Sequence, residues 1–129
     1  MRLLLDTHAW LWLQRAPERL GTALPALEDP DNELLFSAAS SWEIAIKYSI
    51  GKLALPEPPV TYVPERIASS GVVPLAIQHS HALAVAALPV HHSDPFDRIL
   101  IVQAIAEGAR LVTSDEAFRP YDVDLLWSG

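Results

Sequence analysis

The chain reads as an α/β protein, a three-layer α/β/α arrangement around a mainly parallel sheet of four or five strands. Three observations predict this. Short apolar runs are contiguous rather than alternating, as in strands of a parallel sheet covered on both faces. Segments with helical spacing and helix-stop residues fall between those runs. The chain has 129 residues, of which 50% are hydrophobic, enough for one domain over residues 1–129 with its own core.

The elements follow in order. Arg2 to Asp6 is the first strand. Thr7 caps a helix running through Leu13, with Trp10 and Leu11 or Leu13 on its packing face. Pro17 to Glu28 is helical with a break near Pro25, and Asp29-Pro30-Asp31-Asn32 is a turn. Leu34 to Ser37 is the second strand. Ser40 to Ser49 is a helix ended by Gly51, and Lys52 to Leu55 is a short extended piece before a Pro-rich loop. Thr61 to Ser69 is helical, Val72 to Leu75 is the third strand, and Gln78 to Ala87 is an apolar helix. Asp94 to Glu107 is a helix stopped by Gly108. Leu111 to Thr113 is the fourth strand, and Val123 to Trp127 is a fifth, at an edge. Trp10, Trp12 and Trp42 stand at helical positions beside aliphatics and read as packing residues.

Composition excludes several classes. There is no cysteine, so neither a disulfide framework nor a thiolate metal site is available. Five histidines without a repeated ligand spacing do not make a zinc site. No apolar run reaches the roughly 18 residues of a membrane span, and the opening run ends at Asp6, so the expectation is a cytoplasmic protein with no membrane contact. Nine Lys and Arg stand against 16 Asp and Glu, a net charge of -7. That balance argues against wide tracking of a nucleic-acid backbone. It leaves room for a nuclease whose clustered carboxylates are neutralised by bound divalent ions. Lys47, Lys52 and Arg98 are the cations best placed to meet substrate.

The chemistry-bearing residues are four acids. Ligands of parallel α/β sheets sit beyond the carboxyl ends of the strands. Asp6 ends the first strand, where burying an acid is costly unless something compensates it. Asp115 follows the fourth strand through Thr113 and Ser114. Glu43 and Asp97 sit near the starts of helices. Both have a local alternative. Glu43 closes a Ser40-Ser41-Trp42-Glu43 capping box and stands one helical turn from Lys47. Asp97 suits the first turn of a helix that Asp94 caps and Pro95 opens. Oxygen ligands of this kind suit Mg²⁺ or Mn²⁺. A divalent site of this kind hydrolyses phosphodiesters.

Four blocks, in this order, resemble the PIN-domain ribonucleases, and among them the VapC-like toxins of type II toxin–antitoxin pairs. Leu3-Leu4-Leu5-Asp6-Thr7-His8-Ala9 with Trp12 resembles the family's first strand and first acid. Ser40 to Lys47 followed by Gly51-Lys52-Leu53 resembles its glutamate helix. Leu88-Pro89, His92, Asp94-Pro95-Phe96-Asp97-Arg98 and Gln103-Ala104 resemble its third block. Leu111 to Asp115 with Phe118 resembles its fourth. Each block alone is weak, while the ordered set is specific. The resemblance implies that Asp6, Glu43, Asp97 and Asp115 are both catalytic and metal-binding, with Asp97 rather than Asp94 as the third acid. It implies a Mg²⁺- or Mn²⁺-dependent endoribonuclease leaving 5′-phosphate and 3′-hydroxyl ends. It also implies a homodimer and a cognate antitoxin, for which Trp10, Leu11 and the Thr61–Ser69 region offer apolar surface. Thr7 and Thr113 would position carboxylates or water, and Arg98 would meet a phosphate or a rim acid. His8 reads as a structural hydrogen-bonding residue.

Two rivals differ in class. A two-component receiver domain needs paired acids after the first strand and a late lysine, whereas this chain has one acid there and its last lysine is Lys52. A noncatalytic binding module on the same fold has no need of all four acids. Whether DNA, structured RNA or single-stranded RNA is cut is open at the level of sequence.

Overall fold

A computed structural model describes all residues, 1–129. Five strands, β1 (Arg2–Leu5), β2 (Glu33–Ser37), β3 (Val73–Leu75), β4 (Arg110–Thr113) and β5 (Leu125–Trp127), form one sheet in the order β3-β2-β1-β4-β5. Every pairing is parallel. The contiguous leucines of β1 are explained by a core on each face. Leu3 and Leu5 pack with Trp10, Leu27 and Tyr62 of helices α1 (Thr7–Arg15), α2 (Leu24–Glu28) and α4 (Pro59–Ser70). Leu4 packs the opposite way, with Leu35, Leu111, Phe118 and with Leu100 and Ile101 of α6 (Pro95–Glu107). Side chains alternate across a strand, so a strand covered on both sides is apolar throughout. Trp10 stacks on Phe36 with centroids 4.2 Å apart.

The topology places the site. From β1 the sheet grows through β2 and β3 to one side and through β4 and β5 to the other. The crevice beyond the carboxyl ends of β1 and β4 is therefore the point where strand order reverses, the usual ligand position in such sheets. Helix α3 (Ala38–Ser49) lies across this end, with Ala39 in one core and Ile44 in the other.

Several boundaries differ from expectation. Asp6, not Thr7, caps α1, accepting the Ala9 N–H at 2.7 Å. Helix α3 begins at Ala38, where the Ser37 hydroxyl accepts the Ala39 N–H at the end of β2. A capping oxygen three residues earlier removes the need for the Ser40–Glu43 box, and Glu43 falls in the second turn. The Pro17–Glu28 stretch breaks at Gly21 rather than Pro25: a 3₁₀ segment (Pro17–Ala23) holds Gly21 at φ 55°, and Pro25 sits in the first turn of α2. Lys52 to Leu55 pairs with no strand. Gln78 to Ala87 divides into α5 (His79–Ala84) and a 3₁₀ turn, and most of it is exposed, Leu83 at 74%. It packs on α6 along one side only, with His81 buried against Gln103 and most of its apolar residues left outside. No helix is long and apolar enough to cross a membrane.

Candidate active site

Asp6 follows β1 directly. Its backbone N–H donates to the Val112 carbonyl of β4, at 3.0 Å, fixing the residue at the switch point. One carboxylate oxygen is used in the α1 cap. The other accepts the Thr113 hydroxyl at 2.6 Å. Thr113 Oγ1 in turn accepts the Asp115 N–H at 3.0 Å, so one threonine couples the two acids. Asp115 Oδ1 accepts the Ala117 N–H and so starts the 3₁₀ turn after β4.

Glu43 is buried and faces α1. Its Oε1 accepts the Thr7 hydroxyl at 2.5 Å, and Ser40 Oγ lies 3.0 Å from the same hydroxyl oxygen. Its Oε2 pairs with Lys47 Nζ at 2.8 Å, one helical turn on. With no capping box, Thr7 and Lys47 are its polar side-chain contacts.

Asp97 projects from the first turn of α6, which Asp94 caps through the Phe96 and Asp97 N–H groups. His92 Nε2 lies 3.0 Å from Asp97 Oδ2, and His92 Nδ1 lies 2.8 Å from the Tyr121 hydroxyl. An ionised Asp97 can only accept, so Nε2 carries the proton; in the tautomer that leaves Nδ1 bare, the Tyr121 hydroxyl donates to it. The Tyr121 oxygen accepts from Arg98 at 3.1 Å. Donors thus run in one direction, from Arg98 through Tyr121 and His92 to Asp97. The spacing from His92 to Asp97 is visible in the sequence, but the partner on the far side of the ring, 29 residues on, is not.

Asp6, Glu43, Asp94, Asp97 and Asp115, with Thr7, His8 and Lys47, line one cleft of about 150 Å³. Burial pushes the Asp6 carboxyl above its ordinary value of 3.8; the charge of Asp115 adds to this, while the Thr113 and Ala9 hydrogen bonds and the charge of His8 oppose it. Burial likewise pushes Asp97 up to about 6, with the charges of Asp94 and Asp115 acting the same way and His92 opposing by its hydrogen bond and its charge. No group of three or more His, Asp or Glu side chains is set to hold a metal ion as it stands. The reason is visible in the partners: Glu43 is turned to Lys47 and Thr7, and both Asp6 oxygens accept protein hydrogen bonds. The donor set is nevertheless all carboxylate, the kind a hard divalent cation prefers, and its mutual repulsion is the strain such a cation relieves.

Arg98 does not reach the cleft rim. It is buried and donates to the carbonyls of Pro89 and Leu88 at 2.8 and 3.2 Å, so its role is to tie the loop before α6 to the core. Trp42 is not a core residue either; it is 59% exposed and meets only the edge of Phe96, centroids 5.1 Å apart. Trp10 is fully buried and Leu11 is only 7% exposed, so neither forms the broad apolar surface expected for a protein partner.

Residues 3–123 match the model of the PIN domain family, and the chain belongs to that family. The relatives narrow this. The chain is 31% identical over 123 residues to Ribonuclease VapC22 of Mycobacterium tuberculosis, spanning 92% of this chain and 91% of the relative. It is 51% identical over 55 residues to Ribonuclease VapC16 of the same organism, a match covering 43% of this chain and only 39% of that relative. In fold it is similar to VapBC2 from Rickettsia felis bound to a promoter DNA fragment (TM-score 0.75, 18% identity, all of both chains). It is similar also to DNA-bound VapBC from Salmonella typhimurium (TM-score 0.71, 16% identity, 98% of both chains).

Proposed function

We propose that this protein is a divalent-metal-dependent endoribonuclease of the VapC toxin type, hydrolysing RNA phosphodiesters and neutralised by a cognate antitoxin. The observation that carries the reading is the meeting of Asp6, Glu43, Asp97 and Asp115 in one cleft at the switch point of a PIN-domain sheet. These four residues are the proposed catalytic and metal-binding set, and residues 1–129 act as one PIN domain. Asp94 remains the helix cap and shapes the field at the rim.

A bound Mg²⁺ or Mn²⁺ would supply a water of lowered pKa and a Lewis acid for the phosphodiester oxygens. The chain's own residues prepare for it. Thr113 and the α1 cap fix Asp6 in one orientation, so little ordering remains to be done on binding. His92 holds Asp97 and keeps it accepting. Glu43 would have to give up Lys47 to join the set, which would free the Lys47 ammonium at the cleft wall for a substrate phosphate. Thr7 retains a hydroxyl against Glu43 and steadies it.

Partners follow from kinship and exposed surface. The antitoxin is proposed because the neighbouring folds come from VapBC assemblies. Val60, Pro64 and Ile67 line an apolar groove of about 530 Å³ along α4, and Val60 is 82% exposed. That groove is the proposed surface for the antitoxin or a second copy in a homodimer. An RNA target implies action in the cytoplasm.

The test is an RNA panel with Mg²⁺ or Mn²⁺, comparing wild type with Asp6→Asn and Asp97→Asn. Cleavage leaving 5′-phosphate ends in the wild type alone is expected. Equal cleavage by all three proteins, or none by any, overturns the proposal.

A further inference from the structure

An acidic protein that cuts RNA must hold the strand somewhere. Its nine Lys and Arg residues are unequally committed. Arg2, Lys47, Arg110 and Arg119 pair with carboxylates. Arg98 is buried on backbone carbonyls. Arg15, Arg19, Lys52 and Arg66 have no carboxylate partner, and three of these four gather in one place. Arg15 and Lys52 line a groove of about 340 Å³ between α1 and the segment after α3, with Leu11, Trp12, Ile44 and Leu53. Arg19 lies over the ring of Trp12, 4.4 Å from its centroid. No acid lines this groove.

The groove and the acidic cleft share Thr7, His8 and Lys47 in their walls, so they lie side by side with opposite charge. From these features we propose that the groove is a single-stranded RNA subsite, in which Arg15 and Lys52 hold backbone phosphates next to the scissile one and the Trp12–Leu53 wall receives an unpaired base. This rests on the ribonuclease reading above and specifies how the strand is held. Elsewhere the net charge of -7 repels a polyanion, so binding depends on few contacts. Single strands suit the site because an apolar and aromatic wall can take an unstacked base face, whereas a duplex keeps its faces covered. An acidic peptide is the other occupant this charge pattern admits.

Binding of a fluorescein-labelled 12-nucleotide RNA, read by anisotropy in EDTA so that nothing is cut, tests the proposal. Wild type is compared with Lys52→Gln, Arg15→Gln and the double variant across 50–200 mM salt, and with Arg110→Gln. Arg110 sits at the amino end of β4, away from the cleft, so that variant makes the same charge change elsewhere. Lys52 has no polar partner to lose, so its variant tests the subsite even if Arg15→Gln, which gives up a bond to the Ala54 carbonyl, loosens the loop. Each groove variant is expected to weaken binding and to reduce the salt slope by about 0.7, and the double variant by about 1.4. Equal slopes in wild type, groove variants and Arg110→Gln overturn it. So does a poly-glutamate peptide whose binding depends on Arg15 and Lys52 while RNA binding does not. The two proposals fail separately. RNA binding that depends on these cations in a protein that cuts no RNA with Mn²⁺ sinks the nuclease and keeps the subsite; cutting with unaltered slopes does the reverse.

Discussion

Protons and a divalent ion should compete for the acidic cleft, and the competition has a calculable size. Asp97 ionises near 6 and Asp6 is also raised, both chiefly by burial. Binding requires the carboxylates ionised. At pH 5 about one-tenth of Asp97 is ionised, so Mn²⁺ affinity falls about tenfold per pH unit below 6, or about 1.4 kcal/mol. Asp6, also raised by burial, acts in the same direction. Isothermal titration calorimetry of Mn²⁺ from pH 5 to 7.5, in two buffers of different ionisation enthalpy, gives both the affinity and the protons released. An affinity flat across that range, with no proton release, refutes the reasoning. Stability of the metal-free protein must move the opposite way. The folded pKa of Asp97 exceeds its ordinary 3.8, so the native state binds more protons between about 4 and 6, and stability is lost as pH rises through that window. Denaturant midpoints should therefore be higher at pH 5 than at pH 7 in EDTA, with the difference shrinking in Mn²⁺.

Further predictions come from individual contacts. Tyr121→Phe removes the hydroxyl 2.8 Å from His92 Nδ1 and loosens the ring that holds Asp97; Mn²⁺ affinity should drop about 10- to 100-fold in the same calorimetry. Thr113→Val takes a hydrogen bond from Asp6 and should raise the pH at which Mn²⁺ binding is half lost, followed by the same calorimetry. Trp10→Ala empties the stacked site against Phe36 and should cost about 3–5 kcal/mol in urea unfolding. Arg98→Ala leaves the Pro89 and Leu88 carbonyls unanswered and should lower the melting temperature by several degrees rather than act on RNA affinity alone.

The layered fold is legible because the apolar run of β1 and the Gly108 stop after α6 are local signals. The acids at strand ends are legible for the same reason: Asp6 and Asp115 must lie at the sheet's carboxyl edge whatever the helices do. Glu43 was ambiguous because a Ser-x-x-Glu pattern inside a helix looks like one at its start. Only the Ser37 cap, set by where β2 ends, resolves it. Arg98 was misplaced because its position beside Asp97 says nothing about which way a side chain on α6 points. The 100° step between neighbours turns one to the cleft and the other to the core. The relay through Tyr121 and the grouping of Arg15 with Lys52 depend on contacts distant in sequence, which a linear pattern does not carry.

The central claim is that Asp6, Glu43, Asp97 and Asp115 make one divalent-metal centre. Anomalous diffraction from crystals grown with Mn²⁺ addresses it most directly. The account predicts a peak among these four carboxylates, with Glu43 turned away from Lys47. A cleft without a peak, or Mn²⁺ held at the histidines His91 and His92 instead, would contradict it.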